Sequence, residues 1–207
     1  MSSREYFKTV ASKWDQMRST FFSEAVRDRA LEVAAIQKGK LAADLGAGTG
    51  FITAALVKNG LKVIAVDQSP EMLDQIKAKF GSVDQVECRL GVAEKRSVQD
   101  SEVDYVFANM YLHHVESPPI AITEMVRILK SNGIMVITDL DRHNHQFLLV
   151  EHHDRWPGFK REQIKQWFEE AGLTDVAVDC VGESCCAAPQ AGGDRVGVSI
   201  FVASGRK

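Results

Sequence analysis

Two hydrophobic rhythms alternate along this chain, one with the period of a helix and one the length of a strand. In the N-terminal stretch, Phe7, Val10 and Trp14 follow helical spacing and the pattern resumes from Ala25 to Ile36. That stretch predicts one or two amphipathic helices. "KLAADL" (40–45) then reads as a buried strand, followed by a glycine turn and a helix from Phe51 to Lys58 that Asn59-Gly60 stops. "LKVIAVD" (61–67) is a second strand, and "SPEMLDQIKAKF" (69–80) a helix with Ser69 as cap and Pro70 in its first turn.

The alternation continues. Strands are predicted over 85–91, 103–112 and 133–141, with an amphipathic helix over 118–130 ended by Asn132-Gly133. A further helix spans 160–171 and stops at Gly172, and the last two strands are 174–182 and 195–204. The early strands are apolar on both faces, as in a parallel sheet covered by helices on each side. No helix separates the last two strands, so an antiparallel closure is expected there, around a loop bearing glycine and cysteine. The fold class is therefore α/β: a Rossmann-like, doubly wound, seven-stranded sheet, mostly parallel with the last strand antiparallel.

Composition narrows this without redirecting it. The chain has 207 residues, 45% hydrophobic and 26% charged, which is ordinary for one globular domain. The expected division is a helical segment over 1–38, acting as a lid, and a Rossmann-like core over 39–207. A formal charge of −3 argues against a general nucleic-acid binder. The apolar runs are too short for a membrane helix, and the N-terminus lacks the apolar core of a signal peptide, so a cytoplasmic location is expected. Cys88, Cys180, Cys185 and Cys186 are then expected as thiols.

The chemistry concentrates in "ADLGAGTG" (43–50). Gly46 and Gly48 follow the first strand, where an open α/β sheet binds ligands, and they let backbone approach one closely. Asp67 ends the second strand, placed to accept hydrogen bonds from the two hydroxyls of a ribose. A dinucleotide site would space its glycines G-x-G-x-x-G and present free amides to a pyrophosphate. Here the spacing is G-x-G-x-G, and the acid Asp44 precedes it. A carboxylate there repels phosphate and suits an ammonium or sulfonium. The ligand best matching both acids is S-adenosylmethionine, and a nicotinamide dinucleotide is disfavoured.

"DLGAGTGFITAALVKNG", "KVIAVDQSPEMLDQIKAKF", "GVAEKRSV" and "ANMYLHHVESPPIAITEMVRILKSNGIMVITD" occur in that order. Together they resemble the class I S-adenosylmethionine-dependent methyltransferases of the methyltransferase domain 11 type, in the branch of the ubiquinone/menaquinone-type small-molecule enzymes. The flanking segments are similar to methyltransferase domains found fused to arsenical-resistance-type repressors. The resemblance implies S-adenosylmethionine as cofactor, with Asp44, Gly46, Ala47 and Gly48 at its methionine end and loop. It implies Asp67 on the ribose, and Gln68 and Met72 along the adenine. Relatives often carry an acid where Val92 stands; Val92 cannot accept that hydrogen bond, so either the Ala93 backbone or Glu94 replaces it or the adenine is held less specifically. Asn109 would lie beside the methyl group. In relatives the N-terminal segment closes over the cofactor, so Tyr6 or Trp14 would shape the lid and acceptor site, with Tyr111.

Methyl transfer from a sulfonium needs orientation and desolvation more than any one side chain. His113 and His114 are candidates for a general base, since imidazole titrates near neutrality. The segment 139–156 carries Asp139, Asp141, His143, His145, His152, His153 and Asp154, which offer ligands for a metal if the chain folds back on itself. No metal is assigned. Cys180, Cys185 and Cys186, on the ligand side of the sheet, suggest a second acceptor class, a thiophilic metalloid such as arsenite. A third reading is a non-catalytic module that binds S-adenosylmethionine for regulation. The first reading is a small-molecule methyltransferase; the acceptor and the oligomeric state stay open.

Overall fold

A computed structural model describes residues 3–81, 84–92, 96–189 and 192–207. Its seven strands are β1 (Leu41–Leu45), β2 (Lys62–Asp67), β3 (Val86–Leu90), β4 (Val103–Asn109), β5 (Leu129–Leu140), β6 (Thr174–Ala187) and β7 (Val196–Arg206). They form one sheet in the order β3-β2-β1-β4-β5-β7-β6. The pairs from β3 through β5 are parallel, and β7 runs antiparallel to both β5 and β6. The expected mostly parallel sheet with its reversed last strand is what forms. Strand order reverses between β1 and β4, which opens a crevice at their C-terminal ends.

The helices are α1 (Ser3–Val10), α2 (Trp14–Phe21), α3 (Ala25–Ala34), α4 (Phe51–Lys58), α5 (Pro70–Phe80), α6 (Pro118–Ile128), α7 (Gln146–Glu151) and α8 (Arg161–Glu170). One core packs Ile122, Met125 and Phe168 of α6 and α8 against one face of the sheet. Another packs Leu31 and Leu56 of α3 and α4 against the other face. Both faces are therefore covered, the reason the early strands carry apolar residues throughout. The Ser69 hydroxyl accepts from Met72 N and Pro70 opens α5, as the sequence implied. No helix among the described residues is long and apolar enough to cross a membrane.

Four boundaries differ from those predicted. The N-terminal stretch makes three α-helices, broken by a 3₁₀ turn at Ala11–Lys13 and by extended backbone at Phe22. β4 stops at Asn109, because Met110 takes a left-handed φ of 50° and a 3₁₀ turn follows at Leu112–His114. α6 ends at Ile128, since Leu129 is already extended and paired with Val103. Asn132-Gly133 therefore lies in an irregular start of β5, where the register steps from Leu129 to Ile134. β6 runs on to Ala187, so Cys185 and Cys186 sit in a strand and not in the loop expected there. β7 supplies the reason: its residues from Val196 to Ser199 continue the ladder opposite Ala187 to Ser184.

Candidate functional site

A cavity lies at the crevice between β1 and β4. Its floor is the turn from Gly46 to Thr49, where Gly46 and Gly48 adopt φ of 68° and 55°. A side chain at Gly46 would also collide with the Tyr111 ring, 2.1 Å from where its Cβ would stand. Both the backbone angle and the packing therefore require glycine there. Asp67 forms one wall. Its Oδ2 accepts from Gly48 N at 2.8 Å and its Oδ1 from Ser69 N at 2.9 Å, tying the turn to the end of β2. Burial pushes this carboxyl above the usual carboxylate range, against the pull of those backbone donors.

The roof comes from α2 and its surroundings. Trp14, Arg18 and Phe22 line the cavity with Phe51. The Arg18 guanidinium is stacked 4.0 Å from the Phe51 ring centroid and bonded to Glu24 at 2.9 Å. The helical segment is fastened to the turn by polar bonds. Asp15 accepts from Thr49 Oγ1 at 2.5 Å and from Lys79 Nζ at 2.6 Å, and Lys79 also reaches the Thr49 carbonyl at 2.8 Å.

A second chamber adjoins the first. The two share Phe7, Trp14, Phe22, Met110 and His114 as lining. Much of the second chamber is apolar, with Phe21, Leu140, Leu148 and Ala187 among its walls. Its polar lining holds a cluster of His113, His114 and Asp154, with His152, Tyr6 and Cys185 also on its walls. Asp139, fully buried at the end of β5, takes His113 Nδ1 at 2.6 Å. The other ring nitrogen, Nε2, stands 3.6 Å from Asp154 Oδ1. Asp154 is held in place by backbone, since Arg155 N and Trp156 N both donate to the His113 carbonyl.

These contacts set the charges. Burial opposes a proton on His113, but the carboxylates of Asp139 and Asp154 outweigh it and carry the ring up to about 9. Burial and the neighbouring His113 hold His114 well below the ordinary histidine value. Asp154 is pushed up to about 6 by burial, with His113 opposing. So neither histidine titrates near neutrality as the sequence suggested, because each answers to buried neighbours rather than to water.

The predicted positions divide clearly. Gly46, Ala47, Gly48, Asp67, Gln68, Met72 and Asn109 all line the first cavity. Asp44 does not. It lies behind the turn, 1% exposed, where its Oδ2 accepts from Thr53 N at 2.9 Å and Thr53 Oγ1 at 2.6 Å. Neighbouring residues of a strand face opposite ways, and at this register Asp44 points under α4 instead of into the cavity. Gly91 lines the first cavity while Val92 faces a separate surface groove; Ala93 and Glu94 lie outside the described residues.

Trp14 borders both chambers, Tyr111 borders the first, and Tyr6 borders the second, where it packs on His153. Cys185 lines the second chamber, with its thiol pushed up to about 12 by burial and by Asp154. Cys186, next along the strand, lies on the opposite face beside Gly197 and Ser184. Cys180 is exposed and paired in register with Phe201. The three thiols do not converge, so the predicted metalloid trap is not formed. His143, His145, His152 and His153, which could have offered metal ligands, do not gather into one set among the described residues: His143 stacks on His145, His152 meets Phe21, and His153 meets Tyr6.

Arg18 and the pairing of Asp139 with His113 escaped sequence reasoning. Arg18 is a nearly buried cation at the cavity wall, and nothing in its helix pattern marks it apart from other surface arginines. Asp139 stands out only once β5 is known to end beside the turn at 112–114.

Residues 43–137 match the family model of the methyltransferase domain. Over 127 residues the chain is 38% identical to an uncharacterized methyltransferase of Mycobacterium tuberculosis, covering 61% of this chain and 49% of that protein. It thus spans about half the length of that relative. It is 27% identical to the demethylmenaquinone methyltransferase of Staphylococcus aureus over 207 aligned residues, covering 83% and 85% of the two chains. The fold matches a chain of the complex between the Haloferax volcanii Trm112 methyltransferase activator and a methyltransferase. That match has a TM-score of 0.80 at 20% identity and covers 99% of this chain and 97% of the other. The matched segment runs from β1 into β5 and takes in the glycine turn and the reversal of strand order, so residues 43–137 carry a methyltransferase domain, whose methyl donor is S-adenosylmethionine.

Proposed function

We propose that this chain transfers a methyl group from S-adenosylmethionine to a small, largely apolar acceptor held in the second chamber. The observation that carries this reading is the shared wall: two cavities meet at Met110, His114 and the aromatic rings of Phe7, Trp14 and Phe22. A donor in one and an acceptor in the other would face each other across it. The first cavity fits the donor chemically. Asp67 offers a carboxylate to ribose hydroxyls, Arg18 a guanidinium to the amino-acid carboxylate, and the rings an apolar surround for the sulfonium. The bound donor supplies an electrophilic methyl group for in-line displacement. Ala47, Gly48, Gln68, Met72 and Asn109 line the donor space, while Asp44 supports the turn from behind through Thr53.

The chain's own work is positioning and exclusion of water. Residues 1–38 act as a lid over the core of residues 39–207, and Asp15, fastened to Thr49 and Lys79, holds it shut. His114 sits at the junction, and His113 and Asp154 form the polar end that orients the acceptor. The Staphylococcus aureus relative is a demethylmenaquinone methyltransferase, which supports small aromatic acceptors as the first class to try. The experiment is calorimetry with S-adenosylhomocysteine, followed by S-adenosylhomocysteine release against a panel of small quinols and phenols. Leu148→Trp, which fills only the second chamber, should abolish release and leave cofactor affinity within threefold. Undiminished release in that variant would overturn the placement of the acceptor.

A further inference from the structure

The polar end of the second chamber has the form of a metal-binding site. His113 Nε2, His114 Nδ1 and an Asp154 oxygen lie within 4.8 Å of one another. Asp154 Oδ1 is 3.6 Å from the first and 3.9 Å from the second. These residues come from two segments pinned together by backbone bonds, so the spacing is set by the fold and not by flexible side chains.

The second nitrogen of the His113 ring is already engaged, held by the Asp139 carboxylate at 2.6 Å. His114 Nδ1, by contrast, is buried and has no hydrogen-bond partner. In metal sites an outer carboxylate or carbonyl fixes each histidine in this way and directs its free lone pair at the ion. A buried nitrogen with no partner is costly unless something fills the position in front of it.

From this geometry we infer that His113, His114 and Asp154 bind one divalent transition-metal ion, of the zinc or ferrous class, at the end of the acceptor chamber. Two imidazoles and one carboxylate suit these borderline ions over magnesium or calcium. Three protein ligands leave at least one position open, and it faces the chamber, where an oxygen or nitrogen of the acceptor would bind. Asp139 is a positioning residue that acts through His113. The inference rests on reading the second chamber as the acceptor site.

The test uses the full chain, stripped of metal by chelator and titrated with Co²⁺ alone, then with Zn²⁺ in competition. Visible ligand-field absorption reports Co²⁺ in the site, and calorimetry with S-adenosylhomocysteine runs on the same samples. One equivalent of Co²⁺ should bind and be displaced by Zn²⁺. Asp154→Asn and His114→Gln should each weaken binding at least tenfold, and Asp139→Asn by about 10- to 100-fold. Cys180→Ser, Cys186→Ser and His145→Gln should change nothing. Retained S-adenosylhomocysteine affinity shows that the Asp154 and Asp139 variants are folded, and an unchanged thermal unfolding midpoint shows it for His114→Gln. If that affinity is present in the parent chain but stoichiometric Co²⁺ binding is absent, or survives Asp154→Asn and His114→Gln unchanged, the metal inference falls and the methyltransferase reading stands. Absence of S-adenosylhomocysteine binding in the parent chain would instead remove the reading on which both rest.

Discussion

The two chambers of the cleft are built by different means. The floor of the first is one continuous turn after β1, and its key acid ends the very next strand. The polar end of the second is assembled from the turn after β4, the end of β5 and the loop after α7, with residues more than twenty-five positions apart in hydrogen-bond contact. The first is backbone geometry, nearly independent of side chains. The second is a buried arrangement of charges that exists only when three segments meet. A local motif can be read in a row; a convergent one cannot.

The largest effect should come from breaking the local motif. Gly46→Val must place a branched side chain at a φ of 68° and into the Tyr111 ring, so S-adenosylhomocysteine affinity should fall by at least about 3 kcal/mol. Calorimetry checks this, and affinity within threefold of the parent would remove the role given to the turn.

Asp44 tests the support beneath that turn. Burial carries its carboxyl up to about 6, partly offset by the Thr53 hydrogen bonds. The folded state therefore holds this proton more tightly than the unfolded chain, whose carboxyl titrates near 3.8. The stability it contributes is fully present below that lower value and is lost as pH rises through about 6. The unfolding free energy of the parent, minus that of Asp44→Asn, should fall by about 3 kcal/mol between pH 3.5 and 7. Denaturant unfolding across that range measures it; a flat or rising difference would contradict the assignment.

Asp67→Ala, which deletes the acid of the first cavity, should weaken S-adenosylhomocysteine binding by about 1.5–3 kcal/mol, the worth of hydrogen bonds to a charged group. The same variant should leave Co²⁺ binding in the second chamber within twofold, which sharpens the separation of the two regions. The smallest effect is expected at Cys186, on the outer face of β6. Cys186→Ser should change stability by less than about 0.5 kcal/mol and turnover not at all. A larger loss of turnover would return the thiols to the acceptor site.

Much of the fold was legible because its signals are local. Apolar early strands of five to seven residues, Asn59-Gly60, Ser69-Pro70 and Gly172 each mark an element edge through short-range sterics or capping. Asn132-Gly133 misled because the same turn dipeptide serves equally well inside an irregular strand start as at a helix end. The length of β6 was hidden for a related reason: "ESCCA" has no strong strand pattern of its own and pairs only because β7 lies beside it. Among site residues, the glycines and Asp67 could be read from spacing. Asp44 lies behind the turn with Thr53 and not along the cavity, since which face of β1 meets α4 is not written in the strand itself.

The sequence by itself determined the sheet, the turn and the methyl donor's family, because each depends on residues close together and on backbone angles few residues can adopt. Tertiary structure alone decided that His113, Asp139 and Asp154 form one network, that Cys185 parts from Cys186, and that a second chamber opens beside the first. Those outcomes depend on burial and on distances between remote segments. A charge or a thiol takes its character from what surrounds it, and its surroundings exist only after the chain has folded.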